Sequence, residues 1–253
     1  MPTKLPSESD FPSSLTLTIT PPQQPAPQAR PPPNLLLLLH GLGDTSASFT
    51  SFARALNLPE TTVLTLQAPA PLPFDLPGFH WGDDVTFDSA TGALDMDAGF
   101  DRAARLLVDE VVRGVLVDKC GYALRDILVF GFGQGGMAGL VCARELGAAL
   151  AGVVSIGAPY PLSGKVVGGG GGGGGAGKNR TPVLLVAGRE SRAVSDAAMR
   201  RTKEVFEFVE VQRYARRGDG MPQSREEMLP VMQFFARRLR SWQGVPAGSV
   251  EIA

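Results

Sequence analysis

The stretch NLLLLLHG, residues 34–41, limits the fold of this chain more than any other. It carries five leucines in succession, so it has no face suited to water. A half-exposed strand alternates polar and apolar side chains. A strand that is apolar throughout is buried on both faces, and such strands belong to parallel sheets covered by helices. Similar runs recur at TVLTLQAP (62–69), ILVFG (127–131), AGVVSIG (151–157) and TPVLLVAG (181–188), and FEFVEVQRY (206–214) adds a more polar one. Between them lie segments of helical period at 46–57, from Asp97 to about Val117, at 134–147, near 194–204 and near 224–242. In the second, Phe100, Ala104, Leu107, Val111 and Val115 share a face, with Arg102, Arg105, Asp109 and Arg113 opposite. In the last, Met228, Met232, Phe235 and Leu239 recur. The alternation predicts an α/β chain with a mostly parallel sheet and helices on both faces.

The ends and insertions are of another kind. Residues 1–12 read as disordered, and SLTLTIT (14–20) as a short strand. The proline-rich 21–33 reads as an extended loop, because proline cannot donate to a sheet ladder. Residues 34–245 read as one domain, interrupted at 168–177 by a flexible glycine-rich insertion and followed by a tail, 246–253. The loop 70–84 is rich in proline and glycine.

Composition excludes more than it assigns. The net charge is −1, so no overall field recruits nucleic acid, although 189–240 holds 12 Lys/Arg against 8 Asp/Glu, read as a solvated basic face. Cys120 and Cys142 are too few for a disulfide framework and read as reduced core residues. The polar N-terminus carries no secretory signal and no apolar run approaches the ~20 residues of a membrane span, so an intracellular, cytoplasmic location is expected.

The chemical question lies in ILVFGFGQGGMAGLVCAREL (127–146). Gly131, Gly133 and Gly136 spell G-x-G-x-x-G between a strand and a helix, the pattern of a dinucleotide-binding turn. That reading lacks its partner. An acidic residue should close the next strand to hold a ribose, yet no Asp or Glu lies between Leu146 and Glu190. A second phosphate pattern, G-x-x-x-x-G-K at Gly172–Lys178, meets Asn179 where a Ser or Thr should hold magnesium. It is followed by a strand instead of a helix. The same elbow also fits G-x-S-x-G with glycine in place of the nucleophile.

The blocks LLLLHGLGDTSASF (36–49), LQAPAPLP (66–73), GFGQGGMAGL and AGVVSIGAPYPL (151–162) together resemble the α/β-hydrolase family of acyl-protein thioesterases and small carboxylesterases. The resemblance covers most of the chain after residue 34 and weakens through 181–240. It implies an α/β-hydrolase fold, no cofactor and no metal. It also implies a serine activated by a histidine that an acid orients. Residue by residue, the serine falls on Gly133, the histidine on Met221 in the turn Gly218-Asp219-Gly220, and the acid on Ser191, beside Glu190. The backbone amides implied to bind an oxyanion fall on Leu42 and Gln134. His40 precedes that turn and reads as structural. His80, with Asp83 or Asp84, is a candidate general-base pair, and is read first as a surface or loop-packing histidine. Ser46 and Ser48 are candidate displaced nucleophiles, with Ser46 read instead as a helix cap. The resulting expectation is a catalytically inactive relative that binds an acyl or carbonyl ligand or a protein partner. Its alternatives are an active hydrolase with relocated groups, and a nucleotide-binding protein.

Overall fold

The computed structural model describes residues 3–23, 30–87, 89, 92–164 and 177–245. Along the chain come β1 (Leu17–Thr20), β2 (Asn34–Leu39), α1 (Ser46–Leu56), β3 (Thr61–Leu66) and the short β4 (Ala70–Pro71) and β5 (Phe79–His80). Then follow α2 (Asp101–Ala104), β6 (Ile127–Phe132), α3 (Gln134–Glu145), β7 (Gly152–Ile156) and β8 (Val183–Ala187). The last elements are α4 (Asp196–Val205), β9 (Val209–Arg213) and α5 (Arg225–Ala236). Seven strands form one sheet in the order β1-β3-β2-β6-β7-β8-β9, and β4 pairs with β5 apart from it. Every neighbour in the large sheet is parallel except β1, which runs antiparallel to β3 at the edge.

The leucine run shows why the sheet needs two covers. Leu35, Leu37 and Leu39 enter one core, against α3 and the helix through Leu107, Val111 and Val115. Leu36 and Leu38 enter the other, against Phe49 and Ala53 of α1 and Phe234 and Phe235 of α5. Successive side chains point to opposite faces, so each parity fills its own layer. Both cysteines are free and buried.

Several sequence expectations are corrected. Residues 3–12 are ordered, because Phe11 is buried in the core and Lys4 donates its amide to Cys120. The cap of α1 is Thr45, and Ser46 is the first helical residue. Beyond α2 the helix is π-wound over Arg105–Val117. It buries the pairs Leu107/Val108, Val111/Val112 and Val115/Leu116, not a single line of residues. It also leaves Ala104 and Arg102 half-buried. Helix α5 stops at Ala236, and the chain beyond folds back: the Arg240 amide donates to Asn34 Oδ1 at 2.8 Å. The loop 70–84 contains the β4–β5 pair. The glycine-rich insertion except Gly177, residues 24–29 of the proline-rich loop and the tail 246–253 lie outside the described residues. Among the described residues no helix is long and apolar enough to cross a membrane.

Candidate active site

Strand β6 ends at a sharp turn, and α3 begins one residue later. Gly133 makes the turn at φ 52°, ψ −124°, a conformation that glycine adopts at little cost and other residues adopt under strain. Its amide donates to Ile156 at 2.9 Å, and its carbonyl receives the amides of Gly136 and Met137. The neighbouring glycines are there for a different reason. A Cβ on Gly135 would lie 2.4 Å from the carbonyl oxygens of Leu39 and His40. One on Gly131 would lie 2.4 Å from the Gly135 carbonyl oxygen, and one on Gly136 would lie 2.3 Å from Ser155 Oγ. Close crossing of α3 over β6 and β2 therefore accounts for the glycine spacing without a phosphate. A Cβ on Gly133 would meet nothing closer than Met96 Sδ at 3.6 Å and Gly41 Cα at 4.0 Å. The position has room for a side chain that the sequence does not supply.

The Gly41–Asp44 turn after β2 approaches the elbow from the other side. Phe79 holds it, with the Gly43 amide donating to Phe79 and the Phe79 amide donating to Asp44. Gln134 is 1% exposed and ties elbow to surroundings: its Oε1 accepts from Trp81 N at 2.7 Å and its Nε2 donates to the Met96 carbonyl at 3.1 Å. The amides of Leu42 and Gln134 have no hydrogen-bond acceptor among the described residues. Beside Met96 opens a cleft of about 290 Å³ walled by Leu94, Met96, Met137, Pro159 and Leu162. Asp97 closes one end by accepting from the Leu162 amide and the Ser163 hydroxyl.

Opposite the elbow are the loops after β8 and β9. Met221 is half-buried and packs against the same apolar cluster as Phe132 and Phe52. Ser191 donates its hydroxyl to Asp219 Oδ2 at 2.7 Å and accepts the Val194 amide at 3.0 Å. Asp219 Oδ1 accepts the Gly188 amide at 2.8 Å. A carboxylate is thus present, but on the β9 loop, where it anchors the β8 loop. Glu190 turns outward to Arg189 and Arg217.

The two histidines are apart from these loops. His40 is fully buried; its Nδ1 faces the Gly41 carbonyl at 2.8 Å, and its Nε2 faces Gln67 Nε2 and the Ala68 amide. Two donors at Nε2 place the proton on Nδ1, and burial holds the imidazole below its ordinary 6.5, so it is neutral. His80 is also held low, by burial and then by the Arg102 charge, and its Nδ1 has no partner among the described residues. Among the described residues no hydrogen bond or ion pair joins His80 to Asp83 or Asp84. Asp83 accepts the amides of Asp101 and Arg102 at the start of α2, and Asp84 accepts from Val85. Ser46 Oγ donates to Gln67 and Ser48 Oγ to Asp44, so both hydroxyls are engaged in the fold. Asn179 is likewise structural, donating to Ala143 and accepting from Thr181. The Ser191–Asp219 bond escaped sequence reasoning, because it joins positions 28 residues apart. The extra carboxylate in Gly218-Asp219-Gly220 was its one visible signal.

A parallel sheet with a strand–turn–helix elbow at its centre defines an α/β hydrolase. The sequence model of the phospholipase/carboxylesterase family matches residues 24–239, and the chain belongs to that family. It is 36% identical over 136 residues to an uncharacterised hydrolase of Schizosaccharomyces pombe, across 51% of this chain and 55% of that protein. It is 42% identical over 106 residues to an uncharacterised hydrolase of Mycosarcoma maydis, across 40% of this chain and 38% of that protein. The matched stretches thus span about half, or less, of the curated relatives' length. Among solved structures it superposes on esterase PE8 with a TM-score of 0.64 at 18% identity, covering 89% of this chain and 99% of the other. Zea mays acyl-protein thioesterase 2 gives 0.56 at 17%, covering 89% and 99%. At these identities the likeness shows the fold alone.

Proposed function

We propose that this chain is a member of the family that has lost serine-hydrolase turnover and keeps a recognition site for an acyl or carbonyl-bearing ligand. The single observation that carries the reading is the elbow itself. Gly133 holds the strained turn with an open position above it, while the Leu42 and Gln134 amides have no acceptor among the described residues. Backbone donors of this kind stabilise a carbonyl oxygen whatever the side chains do. The groups that would supply a nucleophile, a base and an acid are Gly133, Met221 and Ser191. None of them does that chemistry, and loss of the nucleophile or the base alone costs roughly 10⁶-fold in a serine hydrolase. The apolar wall of the cleft beside Met96, which Asp95, Asp97 and Arg201 also line, suits the hydrocarbon part of such a ligand. Cytoplasmic residence belongs to the same proposal.

The test is a fluorophosphonate probe with a short-chain nitrophenyl ester assay. No covalent labelling and no turnover above buffer are expected, and none in Gly133→Ser either, because no base reaches the new hydroxyl. Labelling of the wild-type chain in the cleft, or strong turnover from Gly133→Ser alone, would overturn the proposal.

A further inference from the structure

Behind the Gly41–Asp44 turn, away from the elbow, lies a second cleft of about 320 Å³ between the end of β3, Phe79 of β5 and the outer flank of the α2–π helix. Leu15, Phe79 and Leu106 give it an apolar wall, and Arg102 and Arg105 a cationic one. Arg102 is half-buried, yet its Nη2 donates only to backbone, to Gly82 at 2.5 Å and Asp83 at 3.2 Å, and its Nε is buried without a partner. Neither arginine forms an ion pair among the described residues. A half-buried guanidinium is ordinarily compensated by a carboxylate; with Nη2 engaged and Nε sealed, Arg102 has Nη1 left to offer one, beside the exposed Arg105. Glu110 is the single acidic residue lining this cleft. The groove on the opposite flank of the same helix, which shares Arg105, is lined by Asp101, Asp109 and Glu145 against Arg105 and Arg113, a balance that repels an anion.

We infer that the cleft behind the turn binds a small carboxylate with an apolar body, the carboxylate on Arg102 and Arg105 and the body against Leu15, Phe79 and Leu106. The site is separate from the elbow and does not depend on whether the chain hydrolyses esters. It touches the elbow's framework, because Phe79 bonds the Gly43–Asp44 turn and Arg102 holds Gly82, next to Trp81 on Gln134.

The experiment is calorimetric titration of the full chain with hexanoate, hexanol and inorganic phosphate. Saturable binding of hexanoate in the millimolar range is expected, with hexanol and phosphate at least tenfold weaker. Arg105→Ala, at an exposed position, should weaken hexanoate about tenfold, the scale of one lost charge-assisted contact. Glu110→Gln should strengthen it two- to fivefold by removing the opposing charge. Thermal melts of both variants check that they remain folded. Absence of hexanoate binding, binding unchanged in both variants, or phosphate binding as tightly as hexanoate would each overturn the inference.

Discussion

The elbow and the two loops that face it keep their backbones by the same means and differ in what the backbone can still do. At the elbow, Gly135 lets α3 cross within reach of the Leu39 and His40 carbonyls. Across the cleft, Gly188 lets the β8 loop lie on the β9 loop, where a Cβ would come within 2.3 Å of the Arg217 carbonyl oxygen. Both crossings are reinforced by main-chain hydrogen bonds, Gly133 to Ile156 on one side and Arg189 to Arg216 on the other. At the elbow the groups proposed to bind a ligand, the Leu42 and Gln134 amides, belong to the main chain, so substitution of side chains leaves them in place. In the facing loops the chemistry would have to come from side chains, and there Met221 packs into the core while Ser191 and Asp219 bond each other. On the proposed reading, amide recognition lasts for as long as the fold preserves its turns, whereas acid–base chemistry depends on each side chain in turn.

The largest test of that contrast is to put side-chain chemistry back onto the preserved backbone. Gly133→Ser, Ser191→Asp, Asp219→Asn and Met221→His together should raise nitrophenyl-ester turnover ~10³-fold or more over Gly133→Ser alone, part of the ~10⁶ a complete triad supplies. Asp219→Asn belongs in the set because a new carboxylate at 191 would otherwise face the old one. A quadruple variant that folds and stays at the background rate would show that the facing loops have moved, and the proposed equivalence of the two backbones would fall.

The next test separates close packing from strain within the elbow. Gly135→Ala places a methyl against two carbonyl oxygens that cannot rotate away, and should cost about 3 kcal/mol or more in urea denaturation. Gly133→Ala meets only a methionine sulfur at 3.6 Å and should cost about 1 kcal/mol, the strain of a positive φ. Equal losses from the two would mean that the elbow is not packed as described. Asp219→Ala is of similar size to Gly133→Ala. It removes the acceptor of the Gly188 amide and the Ser191 hydroxyl at a site open to water, and about 1 kcal/mol is expected.

The same distinction explains how much the sequence revealed. Leu35 to Leu39 announced a doubly covered strand, because burial on both faces leaves no polar position. The strand–glycine–helix order at 127–146 announced the elbow, because close crossings admit only glycine. The reading of 1–12 as disordered fails because partners more than a hundred residues away tie the segment down: the Lys4 amide donates to the Cys120 carbonyl, and Lys119 Nζ donates to the Asp10 carbonyl. Asp83 was offered as a partner for His80, since proximity in sequence does not reveal that its oxygens are taken by the first amides of α2. The π winding after Ala104 left no trace in the periodicity, because buried pairs four apart satisfy either helix.

The smallest effect expected is a pH dependence that belongs to one side of the comparison. Both histidines of the chain lie on the elbow side, and the β8 and β9 loops have none. His40 and His80 are each held below their ordinary 6.5 in the fold, chiefly by burial. The unfolded chain takes up protons near 6.5 and the folded chain does so only at lower pH. Between those values the unfolded state binds more protons, so stability falls as pH falls. The loss begins near 6.5, grows through the acid range and levels off once both folded imidazoles are charged; above about pH 7.5 this contribution is flat. Urea midpoints compared at pH 7.5 and 5.5 should therefore drop for the wild-type chain. The drop should shrink in His80→Gln, whose amide stands where the Nδ1 has no partner to lose. His40 is bonded at both nitrogens, so replacing it would cost stability at every pH and obscure the slope. A slope unchanged in His80→Gln would remove His80 from this account, and stability that rises on acidification would remove both histidines.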